Sequence, residues 1–186
     1  MIALIVIGVI IAIVVIWLIT GYNSFVKARN NVQEGFSTMD VYLKKRFDLV
    51  PNLVETVKGY AAHEKETFQN VVQARNFTQS ATTTEARLQG ENMLTGALRS
   101  LFAVAEAYPD LKANQNFMDL QNQLKIVEED IANSRKYYNA VVKILNNKCE
   151  MFPSNIIGKM FRFERQPMFE VGTEEEREAV KVDFNA

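Results

Sequence analysis

An uninterrupted apolar run occupies Ile2 to Thr20, where no residue is charged and fourteen are Ile, Val or Leu. Each of these near a bilayer centre favours insertion by about 0.3–0.6 kcal/mol, so together they favour it by about 4–8 kcal/mol. At about 1.5 Å per residue, the run is close to the thickness of a hydrocarbon core. Trp17 and Tyr22 stand where interfacial aromatic residues anchor the second end of a span. The pattern predicts a transmembrane helix.

Two other interpretations of the apolar run are weaker. A cleaved signal peptide needs a basic stretch before the run and an A-x-A type site after it, whereas here Met1 precedes it and Gly21-Tyr22-Asn23-Ser24-Phe25 follows. A buried core helix needs protein on all sides, which a chain of 186 residues hardly supplies. We therefore expect the run to remain in the mature protein as an anchor.

The basic residues that follow the apolar run indicate its orientation. Lys27 and Arg29 come first, and Lys44-Lys45-Arg46 lies further on. Lys and Arg beside a span tend to stay in the cytoplasm. We expect a single-pass protein with its N-terminus outside and its C-terminal domain in the cytoplasm.

The segment after the apolar run has apolar residues three and four apart, as one helix face requires: Val32, Phe36, Met39, Leu43, Phe47 and Val50. No proline occurs between Ile2 and Val50, so we predict one continuous helix of about 48 residues. Gly21 and Gly35 are the positions where we expect this helix to bend most easily. Proline disfavours a helical conformation at the residue before it and suits a first turn. The first helix is therefore predicted to end at Pro51-Asn52, where a second helix begins.

Three amphipathic helices are predicted after Pro51. The second runs into the segment Thr78 to Thr84, and the third covers about Glu85 to Tyr108 after a cap in Thr82-Thr83-Thr84. The fourth begins near Asp110 to Asn114, ends at Phe152-Pro153 and carries a heptad seam typical of coiled coils: Phe117, Leu120, Leu124, Val127, Ile131, Ser134, Tyr138, Val141 and Leu145. Short connections favour an all-α, antiparallel up-and-down four-helix bundle.

The chain divides into three predicted parts. Residues 1–22 form the transmembrane anchor, residues 23–165 the helical bundle and residues 166–186 an acidic tail. The tail contains Thr173 followed by Glu176, a capping-box pattern, and we expect it to be mobile with some local helix.

The end of the fourth helix is predicted to return to the bilayer. Lys159, Arg162 and Arg165 alternate there with Phe161 and Phe163. Contact with anionic headgroups contributes about 1 kcal/mol per basic residue, which makes these three candidates for membrane-surface contact. In the alternative, the two phenylalanines close the end of the bundle and the charges are solvated.

Composition and motifs disfavour several classes of function. A net charge of −1 gives no field that attracts nucleic acid. A single histidine, His63, supplies neither a zinc nor a di-iron ligand set, and the lone Cys149 cannot form an intramolecular disulfide. No nucleotide-binding loop or nucleophile elbow is present. We expect no enzyme activity, no catalytic or metal-binding residue and no cofactor.

Several stretches together resemble the LemA family of bacterial membrane proteins. They are Tyr22-Asn23, Arg29-Asn30, Asp40-Val41, Leu43-Lys44-Lys45-Arg46, Asp48-Leu49-Val50-Pro51-Asn52-Leu53-Val54, Val57-Lys58-Gly59-Tyr60-Ala61, His63-Glu64, Ala74-Arg75, Asp130-Ile131-Ala132, Ser134-Arg135, Tyr138-Asn139 and Phe152-Pro153-Ser154-Asn155. Phe36-Ser37 departs from the usual Trp-Ser, and the residues after Glu170 match no family pattern. The resemblance implies a single span in the bacterial inner membrane, a bromodomain-like bundle and no catalytic residue, with suspected links to membrane organisation and envelope homeostasis.

Ten residues of these stretches are candidates for partner binding or for a structural role. These motif residues are Asn30, Arg46, Asp48, Pro51, Asn52, Lys58, Gly59, Tyr60, His63 and Glu64. In the structural interpretation, Gly59 permits close helix approach, Pro51-Asn52 fixes a corner and Arg46 pairs with Asp48 across it. In the partner-binding interpretation, this dense group of polar residues binds another protein.

The sequence therefore predicts a protein that is held in a lipid bilayer and has no catalytic role. We expect it to self-assemble as a homo-oligomeric scaffold or membrane organiser. The alternative is an adaptor that binds a membrane protein such as a protease or transporter.

Overall fold

A computed structural model describes residues 1–169, and the regular secondary structure of this part of the chain is all helical, which confirms the all-α prediction. The helices are α1 (Ile2–Lys58), α2 (Lys65–Ser80), α3 (Thr84–Glu106), α4 (Pro109–Lys112), α5 (Gln115–Glu150) and α6 (Ser154–Met160). Most of the predicted acidic tail lies outside the described residues.

The helices form two compact units. The first contains residues 1–40 and 132–168, and the second contains residues 41–131 together with Phe169. The long helices α1 and α5 contribute a part to each unit.

The beginning of α1 has no protein covering its apolar side chains. Every residue from Ile2 to Ile16 is exposed, and this is the one segment of residues 1–169 that is long and apolar enough to cross a membrane. An uncovered helix that is apolar all round is stable in lipid rather than in water. The helix continues past Gly21 without interruption, as the sequence predicts.

The prediction that Pro51 ends the first helix is wrong. Helix α1 continues through Pro51 to Lys58, and the chain turns over residues 59–64, so that the second helix begins at Lys65 rather than at the proline. An interior proline costs about 3 kcal/mol because it removes a hydrogen bond and crowds the preceding turn. Four side chains around it are buried in the second unit, and each contributes about 1.5–3 kcal/mol: Val50, Leu53, Val54 and Val57. Their burial outweighs the cost of the proline.

The core of the second unit is built by α2, α3, α4 and the adjoining parts of α1 and α5. Its most deeply buried side chains have no exposed surface: Val57, Val71, Leu101 and Leu111. The predicted cap before the third helix is confirmed, since Thr83 Oγ1 accepts a hydrogen bond from the Ala86 amide at 3.1 Å.

Helices α2 and α3 pack closely at Gly90. A Cβ placed on Gly90 would lie 2.6 Å from Thr78 Oγ1 and 2.9 Å from Thr78 Cα. These distances are too short for a methyl group, and the second contact is with backbone. Only glycine permits this helix pair to pack at the observed distance.

We expect Gly90→Ala to destabilise the protein by about 1–2 kcal/mol, because overpacking exceeds the gain in helix propensity. Gly96 lies in the same helix with nothing within 4 Å of an added Cβ, so Gly96→Ala should stabilise by about 0.5–1 kcal/mol. Thermal unfolding of the two full-length variants in detergent measures both effects. Equal shifts of the same sign would contradict the assigned helix contact.

Helix α5 carries the predicted heptad seam. Eight of its nine positions are buried and Leu120 is half-buried. The helix is preceded by Asn114, whose Oδ1 accepts a hydrogen bond from the Phe117 amide at 3.1 Å. It ends at Glu150, and the sequence did not predict that the short helix α6 follows Pro153.

In the first unit, α1 packs against α5 and α6 at two glycines. A Cβ on Gly35 would lie 3.3 Å from Val141 Cγ2, and one on Gly21 would lie 2.2 Å from Ile157 Cδ1. Phe36 and Tyr138 make an edge-to-face contact at 5.9 Å beside the first of these points. Gly21 and Gly35, where the sequence predicts that the helix bends most easily, are therefore positions of close helix packing.

Candidate functional site

A buried ion cluster lies in the second unit around Arg46. Its guanidinium is fully buried and donates through Nη1 to Thr95 Oγ1 and to Glu128 Oε1, both at 2.9 Å. Through Nη2 it donates to the Glu91 carbonyl at 3.2 Å and to a carboxylate oxygen of Glu91, whose side chain is also buried. Arg87 Nε donates to the other carboxylate oxygen at 3.3 Å. One arginine on α1 thus joins α1 to α3 and α5.

The ion cluster corrects the expected pairing of Arg46 with Asp48. Asp48 is exposed and pairs with Lys44, one helical turn earlier on the same surface. Arg46 lies on the buried face of α1, which also carries the apolar residues Leu43 and Val50. Its charge therefore needs a carboxylate inside the second unit. Glu91 supplies that carboxylate.

Sequence reasoning missed Glu91, Thr95 and Glu128 as functional or structural candidates. Glu91 stands three residues after Leu88 and three before Leu94, on the buried stripe of α3. A carboxylate within an apolar stripe is the signal that identifies it, because buried carboxylates require a charged or hydrogen-bonding partner.

A second group of polar side chains lies near the turn between α1 and α2. The Tyr60 hydroxyl accepts a hydrogen bond from Asn114 Nδ2 at 2.9 Å, and the Tyr108 hydroxyl donates to Glu64 Oε1 at 3.4 Å. His63 is exposed in the same turn. Two motif residues therefore contact side chains that precede the α4 and α5 helices.

The remaining motif residues lie on the surface and do not converge on one site. Asn30, Pro51, Asn52, Lys58 and Gly59 are all exposed. The expected helix contact at Gly59 is wrong, because an added Cβ would meet only carbonyls of the preceding turn, Thr56 O at 3.4 Å and Glu55 O at 3.9 Å. Of the ten motif residues, Arg46 alone is buried.

The segment around α6 packs on α1 immediately after the apolar run. Tyr22 contacts the rings of Phe161 and Phe163 at 4.8 and 5.9 Å, and Phe25 stacks on Phe163 at 4.7 Å. The guanidinium of Arg29 lies over the Phe163 ring at 5.7 Å. Phe163 therefore packs against α1, whereas Phe161 retains an exposed face.

The three basic candidates for membrane-surface contact lie on this same segment. Lys159 and Arg162 are exposed, and Arg165 pairs with Glu150 at 2.8 Å while remaining largely in solvent. All three are thus placed on the surface of the first unit, on the segment that packs against α1 after the apolar run.

The thiol of Cys149 lies beneath this segment and is not activated. Burial raises its pKa, the neighbouring Glu150 carboxylate raises it further and Arg165 opposes the shift. A raised thiol pKa keeps the nucleophilic thiolate scarce at neutral pH. Tyr138 is also buried, which raises the pKa of its phenol, and its hydroxyl donates to the Pro167 carbonyl at 2.9 Å.

Comparison with known proteins shows the family. The LemA family model matches residues 35–184, most of the chain.

The chain belongs to the LemA family.

Among curated relatives of this chain, Protein LemA of Metamycoplasma hominis is 24% identical over 165 residues, covering 87% of this chain and 73% of the relative. Magnetosome protein MamQ 2 of Paramagnetospirillum magneticum is 25% identical over 179 residues, covering 82% and 66%. Magnetosome protein MamQ of Magnetospirillum gryphiswaldense is 23% identical over 178 residues, covering 82% and 65%. The chain thus spans about two thirds of the length of the MamQ relatives.

The LemA family match begins after the apolar run and includes every motif residue except Asn30. The matched residues therefore include the ion cluster and the turn between α1 and α2, while the apolar run precedes them. Residues 1–169 contain no group of three or more His, Cys, Asp and Glu side chains arranged to hold a metal ion.

Proposed function

We propose that this LemA family membrane protein is a non-catalytic scaffold that assembles with copies of itself in the bilayer. Its N-terminus lies outside the inner membrane and its domain in the cytoplasm, where Lys159, Arg162 and Arg165 contact anionic headgroups. Its helices form an antiparallel up-and-down four-helix bundle. The uncovered apolar part of α1 supports the membrane anchor, and the basic residues after it support this orientation.

The observation that carries the assembly proposal is an outer stripe on α5, formed by Ile126, Tyr137 and Ile144. These side chains are 61%, 45% and 52% exposed. Tyr137 and Ile144 follow Ile126 by eleven and eighteen residues, close to three and five full turns, so all three lie on one side of the helix. A second apolar stripe, about 100° around the helix from the buried seam, is the pattern that a neighbouring helix covers.

The stripe residue Ile126 also borders a groove with room for a neighbouring side chain. The groove has a volume of about 390 Å³, and Leu49 and Val127 contribute to its apolar lining. Its rim carries Lys45 and Asp48. An apolar floor with charged groups of both signs at the edge resembles the core and rim of a protein interface.

Light scattering of the full-length protein, extracted in detergent and separated by size, tests this proposal. We expect particles whose protein mass is a multiple of 21.2 kDa. The double variant Ile126→Glu and Ile144→Glu should shift them to monomers with unchanged thermal stability. Gln121→Glu, at an exposed position about 140° around the same helix, should leave the particles intact. Monomers of the unaltered protein would contradict the proposal.

The second candidate function is an adaptor for another membrane protein such as a protease or transporter. It is supported by the exposed polar residues near the turn between α1 and α2. Lys58 at the end of α1 and His63 in the turn are both exposed to solvent. Charge reversal by Lys58→Glu and His63→Glu should then remove a co-purifying membrane protein without changing thermal stability. Loss of folding in this variant would assign both residues a structural role.

A further inference from the structure

We infer that the turn between α5 and α6, with the outer face of α6, inserts its apolar side chains into the bilayer interface beside α1. The side chains form a turn patch of Met151, Phe152, Ile156, Met160 and Phe161, which are 61%, 80%, 46%, 57% and 45% exposed. This contact goes beyond assembly through the outer stripe, because it places a second element of the first unit in lipid.

The position of the turn patch relative to the bilayer follows from contacts with α1. Ile157, on the inner face of α6, packs against Gly21, and the Tyr22 ring contacts the Phe161 ring at 4.8 Å. At the end of α5, Lys148 Nζ donates to Ser24 Oγ at 2.7 Å. Thr20 is the last residue of the apolar run. If the run spans the bilayer, its end lies at the interface, and these contacts hold α6 at the same depth.

The distribution of side chains around α6 supports an orientation in which its outer face points toward lipid. Ile156 and Met160 are four residues apart and lie on one exposed face, while Ile157 and Gly158 face α1 and are buried. Phe152 precedes the helix in a turn that leaves nearly its whole ring uncovered. Large apolar side chains clustered on one face are unfavourable in water and gain about 25 cal/mol for each Å² that lipid covers.

The charges around the turn patch match a lipid surface. Lys159 and Arg162 are exposed and flank Met160 and Phe161 in the sequence. Long basic side chains reach the headgroup phosphates while apolar neighbours enter the acyl boundary, which is the composition of interfacial helices. With seven residues α6 is too short to bind a membrane alone, so its packing on Gly21 is what holds it there.

Depth-dependent fluorescence quenching tests this inference in the full-length protein. The variant Phe152→Cys in a Cys149→Ser background is labelled with an environment-sensitive fluorophore and reconstituted at low protein density into phosphatidylcholine and phosphatidylglycerol vesicles. The matched control is Gln33→Cys, which is exposed on α1 about 20 Å beyond Thr20. Spin-labelled lipids with the quencher near the top of the acyl chain should extinguish the label at residue 152 and leave that at residue 33 unchanged.

The quenching results show whether lipid, water or protein surrounds the turn patch. Equal, low quenching at residues 152 and 33 would show that the turn patch lies in water and would overturn the inference. A blue-shifted but unquenched label at residue 152 would show that protein covers the patch and would also overturn it. Met160→Cys provides a second position, and unchanged melting temperatures show that each labelled variant is folded. Quenching reports the depth of residue 152 and light scattering reports self-assembly, so a failure of either one is distinguishable from a failure of the other.

Discussion

The double variant Val9→Arg and Ile13→Arg should leave the membrane fraction entirely. Both positions lie near the middle of the apolar run, and each arginine costs about 2.5–3.5 kcal/mol there while removing about 0.3–0.6 kcal/mol of favourable transfer. The combined change of about 6–8 kcal/mol equals the whole estimated preference of the run for lipid. Both side chains are more than half exposed, so the change does not act through the core of either unit.

Alkaline extraction of membranes from cells that express each variant measures this effect. The variant Val9→Leu and Ile13→Leu, which keeps the run apolar, should remain in the membrane pellet. Alkaline treatment also removes proteins held only by surface charge, so the headgroup contacts near α6 cannot retain the arginine variant. Recovery of the arginine variant in the extracted pellet would contradict the assignment of the apolar run as the anchor.

Arg46→Met should be the most destabilising single substitution among the motif residues. It removes the buried cation that pairs with Glu91 and leaves that carboxylate inside the second unit with Arg87 as its remaining ion partner. Breaking a buried pair in this way costs about 3–5 kcal/mol. For a protein of this length, that corresponds to a melting temperature lower by about 6–20 °C, measured by circular dichroism in detergent.

Two further variants distinguish the loss of the buried ion cluster from the loss of any one positive charge. Lys44→Met breaks the exposed pair with Asp48 and should change stability by less than about 0.5 kcal/mol. Adding Glu91→Met to Arg46→Met should recover part of the lost stability, because an apolar side chain then replaces the buried carboxylate that has lost its pair with Arg46. If Arg46→Met and Lys44→Met melt at the same temperature, the buried cluster does not stabilise the fold.

The features that the sequence predicts well are those with a strong local pattern. The apolar run and the heptad seam each repeat one physical preference over many residues, so the start of helix α1 and helix α5 follow directly. The cap at Thr83 is likewise local, since it depends on a hydroxyl placed three residues before an amide.

The features that the sequence missed depend on contacts between distant residues. At Pro51 the local preference for a break yields to the burial of neighbouring apolar side chains in the second unit. Arg46 pairs with Glu91, 45 residues away, and no spacing rule on one helix identifies such a partner. The packing of α6 depends on Gly21, which belongs to the other end of the chain.

Mass spectrometry of the protein recovered from fractionated cells tests the central claim most directly. We predict that the membrane fraction contains a polypeptide that still carries residues 2–20, and that an externally added protease leaves residues 41–131 intact until the cells are opened. A polypeptide that begins after Gly21 and is recovered from the soluble fraction would contradict the claim that the apolar helix anchors the mature protein.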